Sequence, residues 1–201
     1  MADLPLLLEP EQLADLLPLD NVLIIDQSKA ETFMEGHIPG AVHLDFKRLQ
    51  RPGTPVPGLL PEMSELETVF SELGLTAETH VICSDDEGGG WAGRMIWVLD
   101  CIGHTRYSYL NGGLTAWLAE GLPTAGGEVT PTASDYRAEL VNSDCTLSKE
   151  QIIARLGQPD FAVWDARSRE EYTGEKVNAQ RGGHIPGAVN YEWTRGIICS
   201  L

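Results

Sequence analysis

Basic residues are scarce in this chain. Its 14 Lys and Arg stand against 30 Asp and Glu, for a formal charge of −16. Nucleic-acid binding draws much of its affinity from phosphate neutralisation on a basic face, so no nucleic-acid partner is expected. Long apolar runs are lacking too, since none approaches the roughly 20 residues that cross a bilayer. Met1-Ala2-Asp3-Leu4 lacks the basic stretch of a secretory leader, and Glu9 and Glu11 interrupt the apolar residues that follow. No membrane partner is expected, and a cytoplasmic location is. Cysteine is limited to Cys83, Cys101, Cys145 and Cys199 with no Cys-x-x-Cys pair, which argues against a zinc site or a redox dithiol. A disulfide framework is likewise not expected in a cytosolic chain of this size. Gly88-Gly89-Gly90 has no Gly-Lys-Ser/Thr behind it, so no phosphate loop is indicated, and no metal or other cofactor is implied.

What is present suits a folded α/β chain. With 42% hydrophobic residues, its 201 residues can bury one large core or two small ones. Leu6 to Leu8 is a short apolar run, and Pro10 opens a helix through Leu17. Val22 to Ile25 reads as a buried parallel strand ending at Asp26, and Ser28 caps a short helix through Met34. After the prolines at 52, 55 and 57, a helix starts at Pro61 and ends before Gly74. His80 to Cys83 is the next strand. A polar loop, Ser84-Asp85-Asp86-Glu87-Gly88-Gly89-Gly90, leads into a helix from about Trp91 to Ile102. Tyr107 to Leu110, the turn Asn111-Gly112-Gly113 and a helix from Leu114 to Glu120 complete a unit at 1–125. This alternation predicts a mainly parallel sheet flanked by helices.

Residues 126–135 read as a linker, and the pattern restarts at 136. Tyr136 to Val141 reads as a strand, and Ser148 with Gln151 forms a capping box for a helix ending at Gly157. Phe161 to Trp164 is a strand ending at Asp165, followed by a helix from Ser168 to Tyr172. The two halves repeat by residue. Ile24-Ile25-Asp26 leads to Gly36-His37-Ile38-Pro39-Gly40-Ala41-Val42, and Val163-Trp164-Asp165 leads to Gly183-His184-Ile185-Pro186-Gly187-Ala188-Val189. The second spacer is longer and includes Lys176 to Arg181. The repeat indicates duplication.

Gly-His-Ile-Pro-Gly-Ala behind a strand-aspartate-helix segment resembles the rhodanese family, and the double arrangement resembles its tandem thiosulfate sulfurtransferases. Asp85 to Arg94 and Leu110 to Gly113 carry the same likeness in the first half. The resemblance implies sulfur transfer from a small, thiosulfate-like anionic donor to a thiophile such as cyanide, through a cysteine persulfide. It leaves the protein sulfur acceptor unidentified. In that family a cysteine opens a strand-to-helix loop whose amides cradle the sulfur, and an arginine closes the loop. Here the nucleophile position falls on Asp86 and the arginine position on Trp91. The first domain therefore reads as non-catalytic. The second would be expected to hold the catalytic loop, but from Thr194 to Leu201 nothing matches the family. The expectation is a partial second copy at 136–201, truncated before its catalytic loop, and an inactive chain. Its Val163, Trp164, Ile185, Val189 and Trp193 would then lack core partners. The rival reading is a non-catalytic binding or regulatory module that uses the Asp86 loop.

Other candidates are weighed by context. Cys101-Ile-Gly-His-Thr-Arg106 fits Cys-x-x-x-x-Arg by letter, but Cys101 ends a helix, whose carbonyls disfavour a thiolate. Cys83 reads as a buried small hydrophobe and Cys145 as an idle thiol. Asp26 with His37, and Asp165 with His184, are read as turn-fixing groups rather than acid–base pairs. Arg167 matches a family position facing the sulfur pocket, so it is the candidate substrate contact. The alternative is a salt bridge to Glu170 or Glu171.

Overall fold

The computed structural model describes residues 4–18, 20–53 and 57–197, so Pro55 and Ile198 to Leu201, including Cys199, lie outside the described residues. The chain forms two compact units, Met1–Cys145 and Thr146–Leu201.

In the first unit, β1 (Leu7–Leu8), β2 (Val22–Asp26), β3 (Val42–His43), β4 (His80–Ser84) and β5 (Tyr107–Leu110) form one parallel sheet. Its order is β1-β5-β4-β2-β3. Side chains alternate between faces along a strand, which divides β2 and β4 between two cores. Ile25, Val81 and Cys83 pack on one side with Leu66, Phe70, Met95 and Val98. Ile24 and Ile82 pack on the other with Leu13, Phe33 and Trp117. Burying each such large side chain contributes about 1.5–3 kcal/mol. The helices supplying them are α1 (Pro10–Leu16), α2 (Ala30–Glu35), α3 (Met63–Glu72), α4 (Gly90–Cys101) and α5 (Gly113–Ala119). The expected α/β architecture is present, with helices on both faces of the sheet.

Helix α3 starts two residues later than expected because Glu62 and Glu65 form a reciprocal capping box. Its buried Leu66, Val69 and Phe70 recur at helical spacing.

Residues 136–145 differ from expectation. They form no strand and pack with the first unit instead of opening the second. Tyr136 and Ala138 lie in the first core, and the Tyr136 ring meets Phe70 edge-on at 5.6 Å. Their backbone bonds go to helices rather than to a strand ladder. Ser134 N–H donates to the Ser71 carbonyl at 2.8 Å, Tyr136 N–H to Ser71 Oγ at 2.9 Å, and Val141 N–H to the Cys101 carbonyl at 3.1 Å.

The second unit holds α6 (Lys149–Arg155), β6 (Trp164–Asp165), α7 (Arg169–Thr173) and β7 (Val189–Asn190), with β6 and β7 paired in parallel. The Ser148–Gln151 and Ser168–Glu171 capping boxes open the two helices. The expected strand from Phe161 shrinks to Trp164–Asp165. Among the described residues of this unit only Ala188 is buried, while Trp164, Ile185, Val189 and Trp193 are exposed.

Candidate functional site

In parallel α/β sheets, binding sites form outside the carboxyl ends of the strands. At the end of β4 the loop turns back on itself around one carboxylate. Asp85 Oδ1 accepts the N–H groups of Glu87 at 3.1 Å and Gly89 at 2.9 Å. Its Oδ2 accepts those of Trp91 and Ala92, both at 2.9 Å. A carboxylate at this point satisfies the orphan donors at the start of α4 and complements the helix dipole. Two glycines make the turn possible. At Gly89 (φ +96°) a Cβ would lie 2.7 Å from Tyr109 Oη, and at Gly113 (φ +57°) it would lie 2.1 Å from the Asp85 carbonyl oxygen. That same carbonyl accepts the Leu114 N–H at 2.9 Å.

Asp86, which the resemblance assigns to the nucleophile position, is half-buried. Its Oδ2 accepts from Lys29 N–H and Thr32 Oγ1, both at 3.3 Å, and its buried Oδ1 has no partner among the described residues. Trp91, at the arginine position, stacks on Phe46 with ring centroids 3.5 Å apart. Arg94 is turned elsewhere and donates to the Leu49 and Leu59 carbonyls. The sequence reading singled out Asp86 and passed over Asp85. An aspartate ahead of a glycine-rich helix start was the available signal.

The cysteines are corrected by the structure. Cys101 and Cys145 form a disulfide across 44 residues, with Cα atoms 5.8 Å apart, where no disulfide was expected. The physical reason is the packing of 136–145 on α4. Val141 and Asn142 N–H bond the Cys101 carbonyl, and Trp97 Nε1–H bonds the Cys145 carbonyl at 3.0 Å. Cys83 is free and fully buried, and burial drives its thiol pKa far up.

Among the described residues neither histidine hydrogen-bonds its paired aspartate. Asp26 is fully buried, and its Oδ1 accepts the Ser28 N–H at 2.8 Å. Burial raises its pKa, partly offset by the Ser28 bonds and nearby His43. His37 does not bond Asp26. Its Nδ1–H donates to the Phe33 carbonyl at 2.7 Å, and its ring stacks on Phe33 at 3.8 Å. The second copy repeats this, with His184 Nδ1–H donating to the Tyr172 carbonyl at 2.8 Å and the rings 3.7 Å apart.

Asp165 departs from the first copy. Arg167 Nε donates to its Oδ1 at 2.9 Å and Nη2 to its Oδ2 at 2.5 Å, and Nη2 also reaches the Gly183 carbonyl at 3.0 Å. The Arg167 bond lowers the pKa of Asp165. The partner of Arg167 is thus Asp165, not Glu170 or Glu171. These groups line an open cleft of about 560 Å³ within the second unit, with Arg181, His184 and Ile185. Among the described residues no three His, Cys, Asp or Glu side chains come together as a metal site, and no helix is long and apolar enough to cross a membrane.

The chain matches the Rhodanese-like domain over residues 9–120 and 148–197, four residues past the Trp193 where the residue-by-residue likeness stops. It is 50% identical over 193 residues to a thiosulfate sulfurtransferase of Azotobacter vinelandii, covering 96% of this chain and 71% of that protein. A thiosulfate sulfurtransferase of Pseudomonas aeruginosa is 46% identical over 196 residues, covering 98% and 72%. Among solved structures, a 3-mercaptopyruvate sulfotransferase of Escherichia coli superposes with a TM-score of 0.85 at 28% identity, over 95% of this chain and 76% of that one.

Proposed function

The chain belongs to the rhodanese-like family, and from that premise we propose that it carries the framework of a thiosulfate sulfurtransferase. The donor is a small sulfane-sulfur anion. In this chemistry a cysteine thiolate attacks the outer sulfur of thiosulfate, the S–S bond breaks, and sulfite leaves with the electron pair. The persulfide then passes that sulfur to a thiophile; with cyanide the product is thiocyanate and the thiolate is regenerated.

The observation that carries the reading is the loop behind β4. Its amides converge as the family's sulfur cradle does, but they converge on the Asp85 carboxylate. Asp86 beside it cannot form a persulfide. The first unit is therefore a scaffold, and the second unit contributes donor contacts from the Arg167 cleft. Of the described cysteines, Cys83 is buried with a raised pKa and the other two are joined in a disulfide. The described residues accordingly supply no nucleophile for the transfer. Peptide mapping after incubation with thiosulfate tests this: no persulfide is expected on Cys83, Cys101 or Cys145, and a stable one on any of them contradicts it.

A second reading, a non-catalytic binding module, is favoured by one feature. Asp86 Oδ1 is buried without a partner among the described residues, beside the exposed Lys29–Glu87 ion pair, which leaves an acidic loop able to accept a donor from another molecule.

A further inference from the structure

The cleft of the second unit contains two guanidinium groups in unlike states. Arg167 is neutralised in place by its fork on Asp165 and its bond to the Gly183 carbonyl. Arg181 lines the same cleft, is exposed, and has no hydrogen-bond or ion-pair partner among the described residues. With Asp165 ionised, Arg167 and Asp165 cancel, and Arg181 leaves the cleft with one uncompensated positive charge. His184 donates its Nδ1–H to the Tyr172 carbonyl.

The duplication supplies an internal control. Counted from the strand-end aspartate, Arg167 corresponds to Ser28. Counted back from the shared Gly-His-Ile-Pro-Gly-Ala-Val run, Arg181 corresponds to Met34. Both cations belong to the second copy alone, and Arg181 lies in its longer spacer. A lone arginine on a chain of charge −16 that faces a cleft and pairs with none of the surrounding carboxylates is suited to an outside anion.

We propose that Arg181 is a further anion-binding and specificity-determining residue of this cleft, holding the oxygen end of a small doubly charged sulfur donor. The donor's chemistry rests on the sulfurtransferase reading given above. A guanidinium presents a planar fork of N–H donors that matches two oxygens of an oxyanion. At one distance a single positive charge attracts a dianion twice as strongly as a monoanion. Arg181 therefore favours a thiosulfate-type donor over a singly charged carboxylate thiol donor. The site is open, so the preference weakens as ionic strength rises.

Titration calorimetry of the full chain tests this, with thiosulfate and sulfate as dianions and pyruvate as the monoanion. In the wild type both dianions are expected to bind more tightly than pyruvate. Arg181→Gln should weaken both dianions about tenfold, bringing them to the level of pyruvate, while Arg181→Lys retains part of the preference because it keeps the charge but not the fork. Unchanged dianion binding in Arg181→Gln overturns the proposal and leaves the sulfurtransferase reading standing. A wild-type chain that binds none of the three anions overturns the proposal and removes the donor site from that reading as well.

Discussion

The Asp85 carboxylate and the Ala92 backbone N–H meet at 2.9 Å across the turn that joins β4 to α4. With the bonds to Glu87, Gly89 and Trp91, this contact closes the loop on its own side chain. Asp85→Ala leaves these amides without an acceptor at a helix start. It should cost about 1–3 kcal/mol, and Asp85→Asn should cost less because its oxygen still accepts. Thermal unfolding of the full chain measures both, and an unchanged midpoint in Asp85→Ala contradicts the closed-loop account.

Asp26 and Asp165 occupy the same place in the repeat with opposite pKa shifts, and this fixes the sign of two pH effects. Burial holds Asp26 above its ordinary value, so the folded state binds the proton more tightly than the unfolded state does. Its contribution to stability falls as pH rises from the ordinary carboxylate range through the raised folded pKa. Asp26→Asn should raise the melting temperature at pH 7, with the gain shrinking on acidification. Asp165 is held low by Arg167, so its contribution is present above the ordinary value and is lost as pH falls through the folded one. Asp165→Asn should loosen the second unit at neutral pH, read by hydrogen exchange of Arg167 and Gly183. A destabilised Asp26→Asn at pH 7 reverses the first sign, and unchanged exchange in Asp165→Asn removes the second.

The Cys101–Cys145 disulfide closes a segment with a sequence separation of 44. In the chain-entropy treatment a loop of that size stabilises by about 4 kcal/mol. Reductant, or Cys145→Ser, should lower the melting temperature of the first unit. Non-reducing peptide maps should recover the two cysteines linked. Separate peptides and an unshifted transition contradict the link.

Limited proteolysis separates the two units. The first unit has two buried clusters, whereas the second buries only Ala188 among its described residues. Early cuts should fall after Cys145, not within 126–135, and leave a fragment close to 1–145. Equal resistance across 146–197 contradicts this.

The sequence carried most of the first unit because its signals are local. Val22–Asp26 and His80–Ser84 are compact apolar runs, and in the second unit Ser148 with Gln151 announces a helix start and the seven-residue repeat displays the duplication. What it hid depends on contacts distant in the chain. Tyr136 looks like strand until Phe70 and Ser71 are seen beneath it, and Cys101 looks merely structural and Cys145 idle until residues 141–145 lie along α4. Asp85 and Asp86 are adjacent acids whose roles separate only when the turn directs one carboxylate inward. Arg167 had three acidic residues within reach, and the backbone turn at Asp165 selects among them.

The central proposal is that the described residues carry a sulfurtransferase framework without a competent nucleophile. Thiosulfate:cyanide turnover by the purified full-length chain tests it most directly. Thiocyanate formation no faster than without protein is the predicted result. Turnover above that level, abolished by Cys83→Ser or Cys101→Ser, would contradict it.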